Sequence, residues 1–201
     1  MTHGRALALY ACAFAVGAVV MGFEMIASRY LYPYFGGGIG TWAGLISTVL
    51  FALAAGYFFG GRLVDTWPSA RLLVISTAVA ALYLALIPVA ADQLLQATMR
   101  HAGDGPGAIL LASAALLIVP LTFLGALSPI IVRLMAPPTT EIGRVSGIVY
   151  AVSTVGNVIG TLGTTFILIP TIGSRAITYA FAALLGLVAL ACTLLRSRAA
   201  A

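Results

Sequence analysis

Six runs of mostly apolar residues, separated by short polar turns, constrain this chain more than any other feature. They fall at 6–26, 41–61, 71–91, 108–135, 145–169 and 175–195. A helix rises about 1.5 Å per residue and the hydrocarbon core of a bilayer is about 30 Å thick, so about twenty apolar residues cross it. In lipid every backbone N–H and C=O needs an internal partner, which leaves helices or a closed barrel. No strand-length segment alternates with period two between turns, so a barrel is set aside. The expected fold class is all-α integral membrane: a single domain over 1–201, built as a six-transmembrane-helix bundle. Composition agrees, with 62% hydrophobic and 7% charged residues, where a soluble domain carries about 25% charged.

The charges set orientation. The chain has arginines but no lysine. With six spans both ends lie on one side, which holds Arg5, Arg62, Arg71, Arg133, Arg144, Arg196 and Arg198. The other side holds Arg29, Arg100 and Arg175. The positive-inside bias then puts both termini in the cytoplasm, in what reads as a bacterial inner membrane. The arginines are scattered between apolar runs, so no nucleic-acid partner is expected. The basic, apolar start imitates a signal peptide, but the apolar run continues past Val20 with no polar mature sequence, so it reads as a retained first span. Cys12 and Cys192 lie inside apolar runs and read as buried thiols. His3 and His101 lack ligand partners at metal spacing, and no metal or cofactor is expected.

Polar residues inside such runs carry the functional signal, because each is costly in lipid. Glu24 is the sharpest. Arg29 lies five residues on, not three or four, so the two are not stacked on one helix face. Two readings stand: a structural ion pair, or a carboxylate kept for a cation or proton. The stretch Tyr30 to Gly40 reads as an outward turn rich in tyrosine and glycine. Tyr30, Tyr32, Tyr34, Phe35 and Trp42 suit either an interfacial aromatic belt or an aromatic mouth for a cationic or flat ligand. The second run ends in Gly60, Gly61, Arg62, Leu63, Val64 and Asp65, where the spacing predicts an Arg62–Asp65 pair on one helical face. Residues 92–107 read as an outward loop with a short interfacial helix at its start.

The fourth run carries Pro120 and Pro129, each of which removes a backbone hydrogen bond and is expected to bend the helix, either for packing or at a binding site. Pro137 and Pro138 break the next turn, and Thr139 to Glu141 suit a helix start. The fifth run is the most polar, and Asn157 is the one amide inside a span. It serves as helix glue or faces a cavity. Gly40 with Gly44, Gly56 with Gly60, and Gly156 with Gly160 have the G-x-x-x-G spacing that lets helix backbones approach closely.

Glu24, Arg29, Pro33, Phe35, Gly36, Trp42, Gly56, Gly60, Gly61, Leu63, Asp65 and Pro68 together resemble the N-terminal membrane domain of bacterial fused major facilitator/spermidine synthase proteins. Pro120, Gly125, Pro129 and Arg133 are similar to the fourth span of that family. Gly156, Gly160, Leu168, Ile169, Pro170 and Gly173 are similar to its fifth. The Gly-Gly-Arg-Leu-x-Asp turn also resembles the turn between the second and third helices of major facilitator transporters. The resemblance implies half of such a transporter. It also implies an aminopropyltransferase-like soluble domain, for which the residues after Leu195 leave no room. Transferase activity is therefore expected only in trans.

The leading expectation is a transporter-like half unit that binds or moves a small organic cation of the polyamine kind. Its substrate-binding residues would be Glu24, Arg29, Tyr32, Trp42 and Asn157. The turn and gating positions would be Gly61, Arg62, Asp65, Pro120 and Pro129. The alternative is an accessory or structural subunit of a larger membrane complex, or a membrane anchor for a separate transferase. No catalytic residue is expected, and the expected partners are lipid and a second copy or larger complex.

Overall fold

A computed structural model describes residues 3–135 and 142–197. Among them there is no strand. Six helices are long and apolar enough to cross a membrane. They are α1 (His3–Phe35), α2 (Ile39–Thr66), α3 (Arg71–Ala102), α4 (Pro106–Met135), α5 (Ile142–Thr171) and α6 (Ser174–Ser197). The chain is therefore read as an integral membrane protein. The helix start expected at Thr139 to Glu141, and the Pro137–Pro138 break, lie outside the described residues.

Two boundaries differ from the sequence expectation. The turn expected from Tyr30 to Gly40 shrinks to Gly36–Gly38, because α1 stays helical through Arg29, Tyr32 and Pro33. Tyrosine is compatible with a helix, and only a glycine with φ near +67° stops it. Gly36 takes that left-handed conformation and donates its N–H to the Tyr32 carbonyl at 2.9 Å. The loop expected over 92–107 is likewise mostly helix. α3 runs to Ala102 and ends on Gly103, at φ +73°, whose N–H reaches the Met99 carbonyl. Thirty-three residues of helix extend about 50 Å, well beyond about 30 Å of hydrocarbon. Hydropathy marks the lipid-filled part of a span, whereas the helix continues until its backbone is turned.

The bundle is built from three close pairs, α1 with α5, α2 with α4, and α3 with α6, with α3 also against α4. α1 touches every other helix and supplies much of the core, with Val19, Phe23, Ile26, Ala27 and Leu31 fully buried. Two of the glycine pairs are used inside the chain. Gly56 and Gly60 lie on the α4 backbone around Thr122 to Ala126, and a Cβ at Gly60 would sit 2.6 Å from the Cα of Ala126. Gly156 and Gly160 lie on the α1 backbone from Phe14 to Ala18, answered by Gly17 against Ser153. In lipid there is little hydrophobic force between helices, so such close backbone contact is what holds them. Gly44 meets Ile109 of α4, but Gly40 has nothing within 4 Å and plays no packing part. α4 accommodates both Pro120 and Pro129 within one continuous helix.

α5 is the least enclosed span. Of its most apolar stretch 17% is buried, against 50% for α1. It is also irregular, with Thr164–Leu168 wound as a π-helix.

The pair expected between Arg62 and Asp65 is not formed. Asp65 instead lies 3.5 Å from Arg133 at the end of α4, and the Arg62 guanidinium stacks 4.1 Å over the Phe58 ring. The close α2–α4 approach at Gly60 brings Arg133 within reach, and the preceding turn of α2 offers Arg62 an aromatic face. Both ion-pair partners are well exposed, and exposed pairs contribute little. Asp65→Asn is expected to change stability by less than about 1 kcal/mol, read as thermal unfolding in detergent. A loss of several kcal/mol would contradict this account of the α2–α4 end.

Candidate functional site

Glu24 sits in the middle of α1 and is 6% exposed. It makes no ion pair or hydrogen bond among the described residues. Arg29, five residues along, is turned about 140° around the helix axis, and it does not neutralise Glu24. Of the two readings left open by the sequence, the structural ion pair with Arg29 is therefore not formed.

The face of α1 that carries Glu24 continues toward Gly17. Seven residues return a helix to within about 20° of the same direction, about 10 Å along the axis. At Gly17 the Oδ1 of Asn157 approaches from α5, 3.0 Å from where a Cβ would be. That oxygen is enclosed and has no hydrogen-bond partner. At Gly22 the hydroxyl of Thr164 approaches in the same way, 2.7 Å from a Cβ position, and it too is enclosed and unpartnered. The seam between α1 and α5 thus holds an orphan amide oxygen and an orphan hydroxyl; Glu24 shares the Gly17 face of α1, but at its own level α5 meets Gly22, about 160° around the axis. Each unpaired buried polar group costs about 1–3 kcal/mol.

Arg29, Tyr32 and Trp42 belong to a different place. They line a cavity of about 290 Å³ at the Gly36 end of α1, closed by Leu45 of α2 and Thr165 of α5. Neither Glu24 nor Asn157 lines it. The five substrate-binding candidates are therefore not gathered in one place: Glu24 is buried on α1, Asn157 lies in the α1–α5 seam about 10 Å along the axis, and Arg29, Tyr32 and Trp42 line the cavity.

The turn candidates gather at the opposite end of α2. The Cβ position of Gly61 lies 4.0 Å from the Pro129 ring, and Asp65 reaches Arg133 one turn beyond that proline. Arg62 lies next to them, on Phe58. Pro120 is buried more than two turns away in α4 and does not join this cluster.

Sequence reasoning missed a clasp at the Gly36 end. Arg175 of α6 pairs with Asp92 of α3, and Tyr34 of α1 donates to the same carboxylate at 3.4 Å. Tyr30 of α1 meets the Thr178 hydroxyl of α6 at 3.2 Å. Three helices are tied together by these contacts. The signal available was the six-span count itself, which puts Asp92 and Arg175 at the same end. It was overlooked because residues 92–107 read as loop.

A separate polar atom tests the cost of orphan groups. Ser113 in α4 is fully buried and its hydroxyl has no partner among the described residues. Ser113→Ala removes that liability and is expected to be neutral or to stabilise by about 1 kcal/mol, measured as a shift in thermal unfolding. A clear loss of stability would show that the hydroxyl is satisfied in the membrane.

Compared with models of known families, with curated proteins and with solved structures, the chain matches none.

Proposed function

We propose that this protein is a transporter-like half unit that binds, and by alternating access moves, a small organic cation of the polyamine kind, with Glu24 as its counter-ion. The observation that carries the reading is the carboxylate buried in α1 with no cationic partner among the described residues. A charge in a span costs at least a few kcal/mol unless it is paired or hydrated, and low local polarity strengthens its attraction for a cation that arrives. Asn157 on α5, against Gly17 on the same face of α1, supplies neutral hydrogen-bonding capacity about 10 Å from Glu24 along the axis.

In this reading the two termini are cytoplasmic and the membrane is a bacterial inner membrane. A half unit needs a second half, most simply a copy of itself across α5. The test is equilibrium binding of labelled spermidine to the purified protein in non-ionic detergent. Saturable binding, displaced by putrescine and not by a neutral polyol, is expected. Absence of saturable binding by any organic cation removes the proposal.

One observation favours the second reading, an accessory subunit or an anchor for a separate transferase. α5 is poorly enclosed yet carries the exposed Thr154, whose hydroxyl lipid does not satisfy. The glycine pairs no longer support it, because Gly56, Gly60, Gly156 and Gly160 are occupied within the chain. Stoichiometric co-isolation of a different membrane protein or a soluble enzyme, with no cation binding, would favour it.

A further inference from the structure

The cavity at the Gly36 end has a chemistry opposite to that of Glu24. Among the described residues Arg29 is the one charged residue lining it, and no acid does. Arg29 makes no hydrogen bond or ion pair among the described residues, unlike Arg133 and Arg175, each of which has its own aspartate. An unpaired guanidinium over a cavity presents a fork of donors suited to a carboxylate or phosphate.

The hydroxyls around the cavity are unequal. Ser28 donates to the Met25 carbonyl at 2.7 Å and Thr41 to the Phe35 carbonyl at 3.2 Å, so both donors are used. Thr165 is different. One turn before it, Thr161 donates to the carbonyl of Asn157; further on, Thr171 donates to that of Ile167. This is the usual disposal of a threonine hydroxyl in a helix, onto the carbonyl four residues back. Thr165 lies in the π-wound segment and its hydroxyl is enclosed, with no partner among the described residues. π-segments of this kind recur at functional sites. The hydroxyl of Thr165 is enclosed and does not face the cavity, so the uncommitted guanidinium of Arg29 is the charged donor that the cavity presents.

The rest of the lining is aromatic and aliphatic, with Tyr32, Trp42, Leu45 and Ile169. At about 290 Å³ the space suits a one- or two-ring body, near the lower limit of ordinary ligand sites. A polyamine is the wrong ligand here, because Arg29 repels it.

We propose that this cavity binds the anionic group of an amphipathic molecule, a carboxylate or phosphate held by Arg29, with its apolar body against Trp42 and Tyr32. The site is separate from Glu24 and does not depend on the cation reading. The same chemistry is presented by a free aromatic acid and by a phospholipid headgroup, and the experiment separates the two.

The probe is Trp42 fluorescence in a Trp67→Phe background, which leaves Trp42 as the single tryptophan, in dodecyl maltoside, a detergent without phosphate. 2-Naphthoate is titrated in one arm and short-chain phosphatidylglycerol in another. A saturable change with naphthoate assigns the site to soluble anions. A saturable change with the phospholipid alone assigns it to a lipid headgroup. In either case Arg29→Gln is expected to weaken binding at least tenfold. Arg29 is exposed, so its variant is expected to elute as a folded protein and to keep any affinity for spermidine. The proposal is overturned if neither probe saturates. It is equally overturned if Arg29→Gln binds as tightly as the parent, or if uncharged 2-naphthalenemethanol binds as well as naphthoate.

Discussion

Gly160→Leu is expected to destroy the folded monomer. A Cβ at position 160 would overlap the carbonyl oxygen of Ala18 and lie 2.6 Å from the Cα of the same residue. Those are backbone atoms of a buried helix and have no flexible end that can move aside. α5 has little else to hold it, since α1 is its principal neighbour and most of its surface is open. Overpacking costs about 1–3 kcal/mol where side chains can yield, and more is expected where backbones must separate. A typical total stability is about 5–15 kcal/mol. Leucine is also a better helix former than glycine by nearly 1 kcal/mol, so local propensity pushes the other way. The sign of the result therefore decides whether contact or propensity rules. Size-exclusion profiles in mild detergent should show Gly160→Leu aggregated or absent. Gly163→Leu and Gly186→Leu, where nothing lies within 4 Å, should elute like the parent. A Gly160→Leu protein that melts with the parent would mean that α5 does not pack on α1 as described.

Glu24→Gln should lower spermidine affinity at least tenfold, or about 1.4 kcal/mol, while leaving the fold as stable as before or firmer. Glutamine keeps the shape and the hydrogen-bonding capacity but removes the buried charge. A carboxylate with no ionic partner is a cost to the folded state, so neutralising it relieves the protein and disables the cation site together. The opposite directions are diagnostic. If Glu24 were a structural ion, removing its charge would reduce stability by leaving a partner unpaired. Isothermal titration and thermal unfolding on the same preparations read both quantities. Unchanged affinity would remove Glu24 from the mechanism.

The spans were legible because hydropathy over about twenty residues is a direct record of lipid contact. The glycine pairs at 56/60 and 156/160 were legible as close-packing positions, although their partners, Ala126 and Ala18, were not. Spacing along one helix says nothing of which neighbour it meets. The ends were harder. Tyr30, Tyr32 and Asp92 read as loop because polarity rises there, yet hydrogen bonding carries the helix on until Gly36 and Gly103. Asp65 looked committed to Arg62 three residues away, and a residue 68 positions later displaced it. For the site, Glu24, Arg29, Tyr32, Trp42 and Asn157 stood out as polar or aromatic groups in an apolar chain. Their separation between the body of α1, the α1–α5 seam and the cavity depends on helix rotation and on the approach of α5. The π-winding at Thr164–Leu168, which frees the Thr165 hydroxyl, has no recognised signature in the run Thr-Thr-Phe-Ile-Leu.

The most direct test of the account is the chemical protection of Glu24 itself. Dicyclohexylcarbodiimide enters lipid and modifies buried carboxyl groups, and mass spectrometry of the α1 peptide counts the product. Saturating spermidine should slow modification of Glu24 with the concentration dependence of its binding, while an equal concentration of a neutral polyol should not. Modification at the same rate with and without spermidine would contradict the claim that this carboxylate is kept for a cation.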